Sequence, residues 1–212
     1  MRIGIDFDNT IACYDGVFHA AALERGLIPE HLGRDKNSVR DHLNGVGRAE
    51  DFTELQGHVY GARMDLAAPY RGFADFVSGT RKAGHELFVV SHKTRYPIRG
   101  PKYDLHAAAR SFLAARGLVG ARSGQIDPGQ IDPDNVFFEL SREEKVARVA
   151  SLRCDAFIDD LPEIFALPGF PAGVRCILFD PEKQLAAAAS EGQYQRCSSW
   201  AEIAAELCHA HV

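Results

Sequence analysis

The length and charge of the chain limit what it can be: 212 residues suit one domain with an insertion and are few for two full domains. A net charge of −5 at pH 7 gives no basic footprint across the sequence, so we expect no binding to duplex nucleic acid. The sequence has no apolar run of about eighteen residues and no signal-peptide core near Met1, so we expect a cytoplasmic protein without membrane contact.

Five short apolar runs, rich in β-branched and aromatic residues, predict five strands. They are RIGIDF at 2–7, ELFVVS at 86–91, NVFFEL at 135–140, DAFIDD at 155–160 and RCILFD at 175–180. Helical patterns lie between the runs, so the chain alternates strand and helix. This alternation predicts an α/β fold with a parallel sheet covered on both faces.

The predicted helices have recognisable ends. The pattern over 70–82 stops before Gly84, and the pattern over 104–116 stops before Gly117. A third helix over 141–152 begins with a capping box, in which Ser141 caps the helix and Glu144 reaches back. The segment SSWAEIAAELCHAHV predicts a last amphipathic helix, capped by Ser198 or Ser199.

Residues 14–69 interrupt the alternation. They contain no buried strand, and polar helical segments such as GVFHAAALERG and EDFTELQGHVYGARM follow one another. This stretch is too long for an ordinary loop. We therefore predict a helical cap over 14–69, inserted into a core made of residues 1–13 and 70–212.

The segment IDFDNT places Asp6 and Asp8 on either side of Phe7 where the first predicted strand ends. Residues two apart in a strand point to the same side, so two ionised carboxylates would repel each other there. A bound cation would hold the two carboxylates together. The repulsion would also disappear if one carboxylate were ionised and the other carried a proton.

Other reactive side chains follow the remaining strands. Ligands of an open parallel sheet bind at the carboxyl ends of its strands, so residues at those ends are candidates for one shared site. These are Ser91 after the second strand, Asp159 and Asp160 after the fourth, and Lys145 on the helix that precedes the fourth. Lys93 and Lys102 are alternatives to Lys145 as a phosphate-binding lysine.

This set of groups suits phosphoryl transfer. Mg²⁺ held by a few carboxylates, together with a lysine and a hydroxyl, neutralises a phosphate group. An aspartate fixed beside the metal can attack phosphorus and form an aspartyl-phosphate. A second acid two residues further on can protonate the leaving oxygen and later activate water.

Four segments resemble, in order, the motifs of the haloacid dehalogenase-like (HAD) superfamily of hydrolases: DFDNT, a strand ending in FVVS, a lysine-bearing EEKVARV and FIDD. The resemblance runs from Ile3 to Asp160 and leaves out the cap. It implies a HAD-like Rossmannoid core with a five-stranded parallel sheet and a small helical cap. Some similarity to deoxyribonucleotidase-type members is present in IDDLPEI.

The resemblance also implies roles for individual residues and Mg²⁺ as cofactor. Asp6 matches the nucleophile, Asp8 the general acid/base, Thr10 the motif-one hydroxyl, Ser91 the motif-two phosphate binder and Lys145 the motif-three lysine. The implied metal ligands are Asp6, the backbone carbonyl of Asp8 and Asp160, with Asp159 as a supporting position.

An acid at position 8 favours hydrolysis of a phosphate ester or phosphomutase chemistry, since the dehalogenase members lack it. We expect a Mg²⁺-dependent phosphatase of a small phosphorylated metabolite, either a nucleotide or a sugar phosphate. The alternatives are a polynucleotide 3′-phosphatase, a phosphomutase and a non-catalytic protein that binds a phosphate ligand.

Substrate-binding residues are harder to predict. In the loop SHKTRYPIRGPKYDLH, Lys93, Arg95, Arg99 and Lys102 form either a contact for a second anionic group or a basic surface loop. His92 is a candidate at the phosphate site or a hydrogen-bonded residue at the sheet edge. Tyr14 and Phe18 either line the substrate pocket or form the core of the cap.

Overall fold

The computed structural model describes residues 1–121, 126–183 and 193–208. Its strands are β1 (Arg2–Ile5), β2 (Ala12–Cys13), β3 (Ala68–Pro69), β4 (Glu86–His92), β5 (Val136–Glu139), β6 (Ala156–Asp159), β7 (Arg175–Phe179) and β8 (Gln195–Cys197). Its α-helices are α1 (Val17–Glu24), α2 (Lys36–Gly45), α3 (Ala49–Ala62), α4 (Phe73–Lys82), α5 (Leu105–Ala115), α6 (Arg142–Ser151), α7 (Pro162–Phe165) and α8 (Trp200–Cys208). Two 3₁₀ turns cover Met64–Leu66 and Pro133–Asn135.

Six of the strands form one sheet in the order β5-β4-β1-β6-β7-β8, and β2 and β3 form a separate two-stranded sheet. Every neighbouring pair in the larger sheet is parallel. All five predicted strands are present, so the predicted α/β class is confirmed. The sheet has one strand more than predicted, because β8 is a short QRC segment at the sheet edge and has no apolar run.

The centre of the sheet is densely packed around β1. Ile3 and Ile5 are fully buried, as expected for a parallel strand covered on both faces. Between them, Gly4 lies so close to Phe157 that an added Cβ would be 2.6 Å from the ring atom Cδ2. The missing side chain at Gly4 therefore allows the aromatic ring of β6 to pack on β1.

The predicted helix ends are also present. Gly84 and Gly117 follow α4 and α5 with φ of +80° and +66°, a conformation that glycine adopts without strain. The Oγ of Ser141 accepts a hydrogen bond from the Glu144 backbone N–H at 3.1 Å. The Glu144 carboxylate accepts from the Leu140 N–H at 2.9 Å, one residue before the position expected for a capping box.

The chain divides into two compact units. Unit 1 consists of Met1–Ala12, Pro69–His92 and Ala114–Val212 and contains the six-stranded sheet. Unit 2 consists of Cys13–Ala68 and Lys93–Leu113 and contains α1, α2, α3 and most of α5. The segment predicted as a cap is therefore helical, and it groups with the loop that follows β4. In the described part of the chain, we find no helix with the length and apolar character needed to span a bilayer.

Unit 2 has an aromatic core. The ring of Phe18 packs 5.9 Å from Phe52 and 5.7 Å from Tyr60, measured between centroids. Tyr14 lies 5.0 Å from Tyr60, and its hydroxyl donates to the Met64 sulfur. Tyr14 is 3% exposed and Phe18 is fully buried, so packing accounts for both residues.

Candidate active site

A tight turn after β1 carries the first two candidate residues. Asn9 adopts a left-handed conformation (φ 56°), which asparagine tolerates better than most residues, and its N–H donates to Ala12 O at 2.9 Å. Phe7 is fully buried and meets Phe138 edge-on, at 5.6 Å between centroids. The turn leaves Asp6 buried at 4% exposure and Asp8 partly exposed.

Lys145 connects carboxylates at the ends of two neighbouring strands. Its Nζ donates to Asp6 Oδ1 and to Asp159 Oδ2, both at 2.6 Å. The two carboxylates are neighbours because β1 pairs with β6, and the Asp6 N–H donates to Ile158 O at 2.9 Å. The second oxygen of Asp159 accepts from the Leu161 N–H at 3.0 Å. Lys145 is thus a buried residue at the predicted site and not part of a solvated helix face.

The charges at this cluster are strongly perturbed. Burial raises the pKa of Asp6 to about 7, with Lys145 acting in the opposite direction. Burial alone would lower the pKa of Lys145, but the carboxylates of Asp159 and Asp6 raise it above its usual value. Burial, reinforced by Asp6 and Asp159, raises the pKa of Asp160 well above its usual value. One ammonium group therefore does not compensate three carboxylates, and a divalent cation would favour their ionised forms.

The carboxylates fit a hard cation. Asp6, Asp159 and Asp160 each place an oxygen within 4.8 Å of the others. Carboxylate oxygens are the ligands that Mg²⁺ prefers, so these residues would hold such a cation. Both oxygens of Asp159 already accept hydrogen bonds, which favours Asp160 as the direct ligand. The side chain of Asp8 lies outside this group.

The two hydroxyl groups of the predicted site are buried. Ser91, close to the end of β4, is 1% exposed, and Thr10 is fully buried. Within the described residues, Thr10 Oγ1 has no hydrogen-bond partner. A buried hydroxyl without a partner costs free energy, which a phosphate oxygen or a water molecule would offset.

His92 fits its predicted role less well. It is exposed at the end of β4. Partial burial, together with the positive charges of Lys145 and Arg142, lowers its pKa. The neutral imidazole is therefore favoured, and a neutral ring is a weak partner for a phosphate dianion.

The remaining candidate cations belong to unit 2. Arg95 is exposed and pairs with Asp104 at 3.2 Å. Lys102 lies 4.4 Å from the Tyr96 ring centroid. Lys93 is buried at 4% exposure and lies 4.6 Å from the Tyr60 ring centroid. Lys145, the third candidate lysine, belongs to unit 1 and contacts Asp6.

One further acidic residue lies at the end of a strand, and its contacts within the fold explain why it is buried. Asp180 follows β7 and is 6% exposed, so its position resembles that of the site carboxylates. Its carboxylate accepts from Arg196 Nε at 2.7 Å. The sequence does not predict the hydrogen bond from Lys36 Nζ to the Tyr60 hydroxyl in unit 2, because no motif links the two residues.

Comparison with known proteins identifies the fold. No family model matches the sequence. A HAD family hydrolase from Deinococcus radiodurans R1 with bound phosphate and sodium has a TM-score of 0.59 at 15% identity, over 99% of this chain and 95% of that one. A HAD hydrolase from Bacillus subtilis bound to magnesium has a TM-score of 0.57 at 16% identity, over 97% of both chains. A HAD-superfamily hydrolase from Ehrlichia chaffeensis has a TM-score of 0.55 at 13% identity, over 98% and 96%.

These similarities define the class of fold to which the protein belongs. The chain has the fold of the HAD-superfamily hydrolases over nearly its whole length. The resemblance carried by the four sequence motifs is thereby confirmed at the level of the fold.

Proposed function

We propose that the protein is a Mg²⁺-dependent phosphatase that hydrolyses a small phosphate monoester through an aspartyl-phosphate on Asp6. The main support is the buried Lys145, which bridges Asp6 and Asp159 at 2.6 Å beside Asp160. A nucleophilic carboxylate must be ionised to attack phosphorus, and contact with an ammonium group favours the ionised form against the effect of burial.

In the proposed mechanism, an oxygen of Asp6 attacks phosphorus as the bond to the ester oxygen breaks. Asp8 gives its proton to the departing oxygen, so the alcohol leaves neutral. Asp8 then takes a proton from water, which attacks the aspartyl-phosphate, releases phosphate and restores Asp6. Mg²⁺, when bound by Asp6 and Asp160, neutralises charge on the phosphoryl oxygens.

The other predicted residues have supporting roles in this proposal. Ser91 and Thr10 hold phosphoryl oxygens through their hydroxyl groups, and Lys145 keeps Asp6 in place. The helical segment over 14–69 acts as a cap that selects the substrate and excludes water. Candidate substrates are nucleotides and sugar phosphates.

Two of the similar structures support this proposal, because one contains bound phosphate and sodium and the other contains bound magnesium. The Deinococcus radiodurans protein binds phosphate and sodium, and the Bacillus subtilis protein binds magnesium. The donor set of this chain, carboxylates beside a lysine, has the same chemical preference for a hard cation and a phosphate group.

The test is phosphate release from a panel of nucleotides and sugar phosphates, with Mg²⁺ and with EDTA. We expect Mg²⁺-dependent release that falls at least about 10³-fold in Asp6→Asn, because the nucleophile is lost. The exposed Asp127→Asn is the matched control and should retain full activity. Labelled phosphate should become attached to Asp8→Asn protein and not to Asp6→Asn.

The same panel of substrates distinguishes the proposed phosphatase from the alternative functions. Full release by Asp6→Asn would reject the aspartyl-phosphate mechanism. Transfer of the phosphate to a second position of a sugar, without release, would indicate a phosphomutase. Hydrolysis restricted to the 3′ ends of oligonucleotides would indicate a polynucleotide 3′-phosphatase, and binding without turnover a non-catalytic protein.

A further inference from the structure

Three paired residues cross the centre of the six-stranded sheet of unit 1. Gly4 of β1 pairs with Phe88 of β4 on one side and with Phe157 of β6 on the other. Residues that pair directly in neighbouring strands point to the same face of a sheet. Both aromatic rings therefore lie on one face, on either side of a residue that has no side chain.

The ring of Phe157 occupies the room that Gly4 leaves. A Cβ added at Gly4 would lie 2.6 Å from Cδ2 and 3.0 Å from Cε2 of this ring. Phe157 is fully buried, and a phenyl ring is flat and stiff, so it cannot bend around an added methyl group. A side chain at position 4 would therefore displace the ring from its present place.

Helix α6 covers this face of the sheet. Its residues Val146 and Val149 belong to the same buried apolar cluster as the two phenylalanines. Lys145 directly precedes Val146, and its Nζ lies over the ring of Phe157, 5.5 Å from the centroid. The ring that packs on Gly4 is therefore also the ring beneath the ammonium group of the candidate site.

This contact suits a buried ammonium group. Lys145 is 2% exposed, and its Nζ donates to Asp6 and to Asp159, both at 2.6 Å. An ammonium group has three N–H donors, and these two bonds use two of them. The face of an aromatic ring carries partial negative charge and attracts a cation, more strongly where water is excluded. Phe157 therefore gives the ammonium group a favourable contact beside its two hydrogen bonds.

The ring also limits where the ammonium group can move. A lysine side chain has a flexible four-carbon stem, so its charged end can take many positions unless its surroundings restrict it. A fully buried ring fills the space next to Nζ, in a densely packed core. Misplacement of a reacting group by about 1 Å can lower a reaction rate about 100-fold. Packing around Lys145 therefore bears on the position of Asp6, its partner.

We propose that Phe157 is a positioning residue that holds the Lys145 ammonium group between its two carboxylate partners. Gly4 is the residue that makes room for the ring. This inference rests on the proposed phosphatase function, because Lys145 serves there to keep the attacking carboxylate of Asp6 in place. Phe157 acts through Lys145 and not by contact with the substrate.

Phe88 provides a matched comparison for Phe157. It is 3% exposed, belongs to the same apolar cluster and pairs with the same glycine. It also lies beneath a cation, since the guanidinium carbon of Arg2 is 4.9 Å from its ring centroid. Arg2 begins β1, whereas Asp6 follows the other end of that strand. The two rings therefore have similar surroundings, and only Phe157 contacts the cation of the candidate site.

The test compares Phe157→Leu with Phe88→Leu. Both variants replace a buried ring by a smaller apolar side chain, so both should lower the urea midpoint of unfolding by similar amounts. With the best ester of the panel, Phe157→Leu should lower kcat by about 10-fold or more and change KM by less than about 2-fold. Phe88→Leu should keep kcat within about 2-fold of the wild-type value.

Gly4→Ala disturbs the same ring without removing it. The added methyl group would lie 2.6 Å from Cδ2 of Phe157, so the ring must move and kcat should fall, as in Phe157→Leu. In the double variant the ring is already absent, so Gly4→Ala should lower kcat by less than about 2-fold further. Two independent losses that multiply in the double variant would overturn the inference.

Urea unfolding separates this inference from the proposed function, because it requires no turnover. The loss of midpoint in Phe157→Leu combined with Lys145→Met should be smaller than the sum of the two single losses, since each change removes one side of the same contact. The losses for Phe88→Leu and Lys145→Met should add. Circular dichroism identifies a variant that has failed to fold, and Lys145→Gln, or methionine in place of leucine at both aromatic positions, then replaces it.

The outcomes distinguish the two proposals. A smaller combined loss in a protein that hydrolyses no ester of the panel would sustain the positioning of Lys145 by Phe157 and reject the phosphatase. Hydrolysis by wild type, with additive midpoint losses or with equal kcat values for Phe157→Leu and Phe88→Leu, would overturn the inference and leave the phosphatase standing. Additive losses without hydrolysis would reject both.

Discussion

The two charged clusters of this protein are built in opposite ways. In unit 1, one ammonium group lies between carboxylates, with Lys145 bonded to Asp6 and Asp159 at 2.6 Å. In unit 2, two ammonium groups lie beside the ring of Tyr60, at 4.6 and 5.6 Å from its centroid. Short bonds between opposite charges fix positions, whereas contacts of cations with a ring are weaker and less directional. The first arrangement suits a reacting centre, and the second suits packing of the cations against the core of unit 2.

The largest effect should come from removing the ammonium group of unit 1. Lys145→Met leaves Asp6 and Asp159 buried without their partner, which typically costs about 3–5 kcal/mol of folding free energy. Urea unfolding measures this loss. Lys82→Met, at the exposed end of α4, is the control and should change stability by less than about 0.5 kcal/mol. Equal losses of folding free energy for the two variants would show that Lys145 does not stabilise the cluster.

The next largest effect should be stabilisation by Mg²⁺, which should depend on the cluster of unit 1 and not on that of unit 2. At a concentration of 100 times its dissociation constant, Mg²⁺ should stabilise the folded protein by about 2.7 kcal/mol. Thermal unfolding with Mg²⁺ and with EDTA measures the effect. Asp160→Asn should abolish it, since a carboxylate of the candidate site is lost, and Lys36→Met should preserve it. A Mg²⁺ response that survives in Asp160→Asn would place the metal elsewhere.

Disturbing the packing of α3 against the loop that follows β4 should cause a smaller loss of folding free energy. Gly61→Ala places a methyl group 2.5 Å from Tyr103 Cβ, and such overpacking costs about 1–3 kcal/mol. Gly45→Ala is the matched control in unit 2, because no atom lies within 4 Å of the added Cβ, and it should be neutral or stabilising. Denaturant unfolding compares the two. Equal free energies of unfolding for the two variants would show that α3 tolerates a side chain at position 61.

The same contrast explains which features the sequence predicts. The strands of unit 1 are continuous apolar runs, and Asp6 and Asp159 lie at the ends of neighbouring parallel strands, with Lys145 on the helix that precedes β6. Their meeting follows from strand order and the carboxyl-end rule, so the cluster is predictable without coordinates. Strand β8 is short and polar at the sheet edge, where no apolar run marks it.

The cluster of unit 2 has no such rule behind it. Lys36 looks like an ordinary lysine at the start of an exposed helix, and Tyr60 like a core aromatic residue. Their meeting with Lys93 depends on how three helices and a loop pack, which local patterns do not determine. The two helix-interior glycines at 57 and 61 are the one sequence signal, since an unexplained glycine in a helix predicts close packing.

The smallest effects should come from helix caps, one in each unit. Asp35 caps α2 by accepting from the Ser38 N–H at 2.8 Å, and Ser199 caps α8 by accepting from the Glu202 N–H at 3.2 Å. Replacing either by alanine should cost about 1 kcal/mol near neutral pH, measured by urea unfolding.

The stability that each cap contributes should depend differently on pH, because the carboxyl group of Asp35 titrates and the hydroxyl group of Ser199 does not. Hydrogen bonds from the Ser38 side chain and backbone N–H lower the pKa of Asp35 in the folded state. A carboxyl group whose folded pKa is lowered contributes stability above its unfolded pKa of about 3.9 and loses it as the pH falls through the folded value. The cost of Asp35→Ala should therefore shrink below about pH 4, whereas that of Ser199→Ala should stay constant. A cost of Asp35→Ala that is unchanged between pH 7 and pH 3 would show that its carboxylate charge does not stabilise α2.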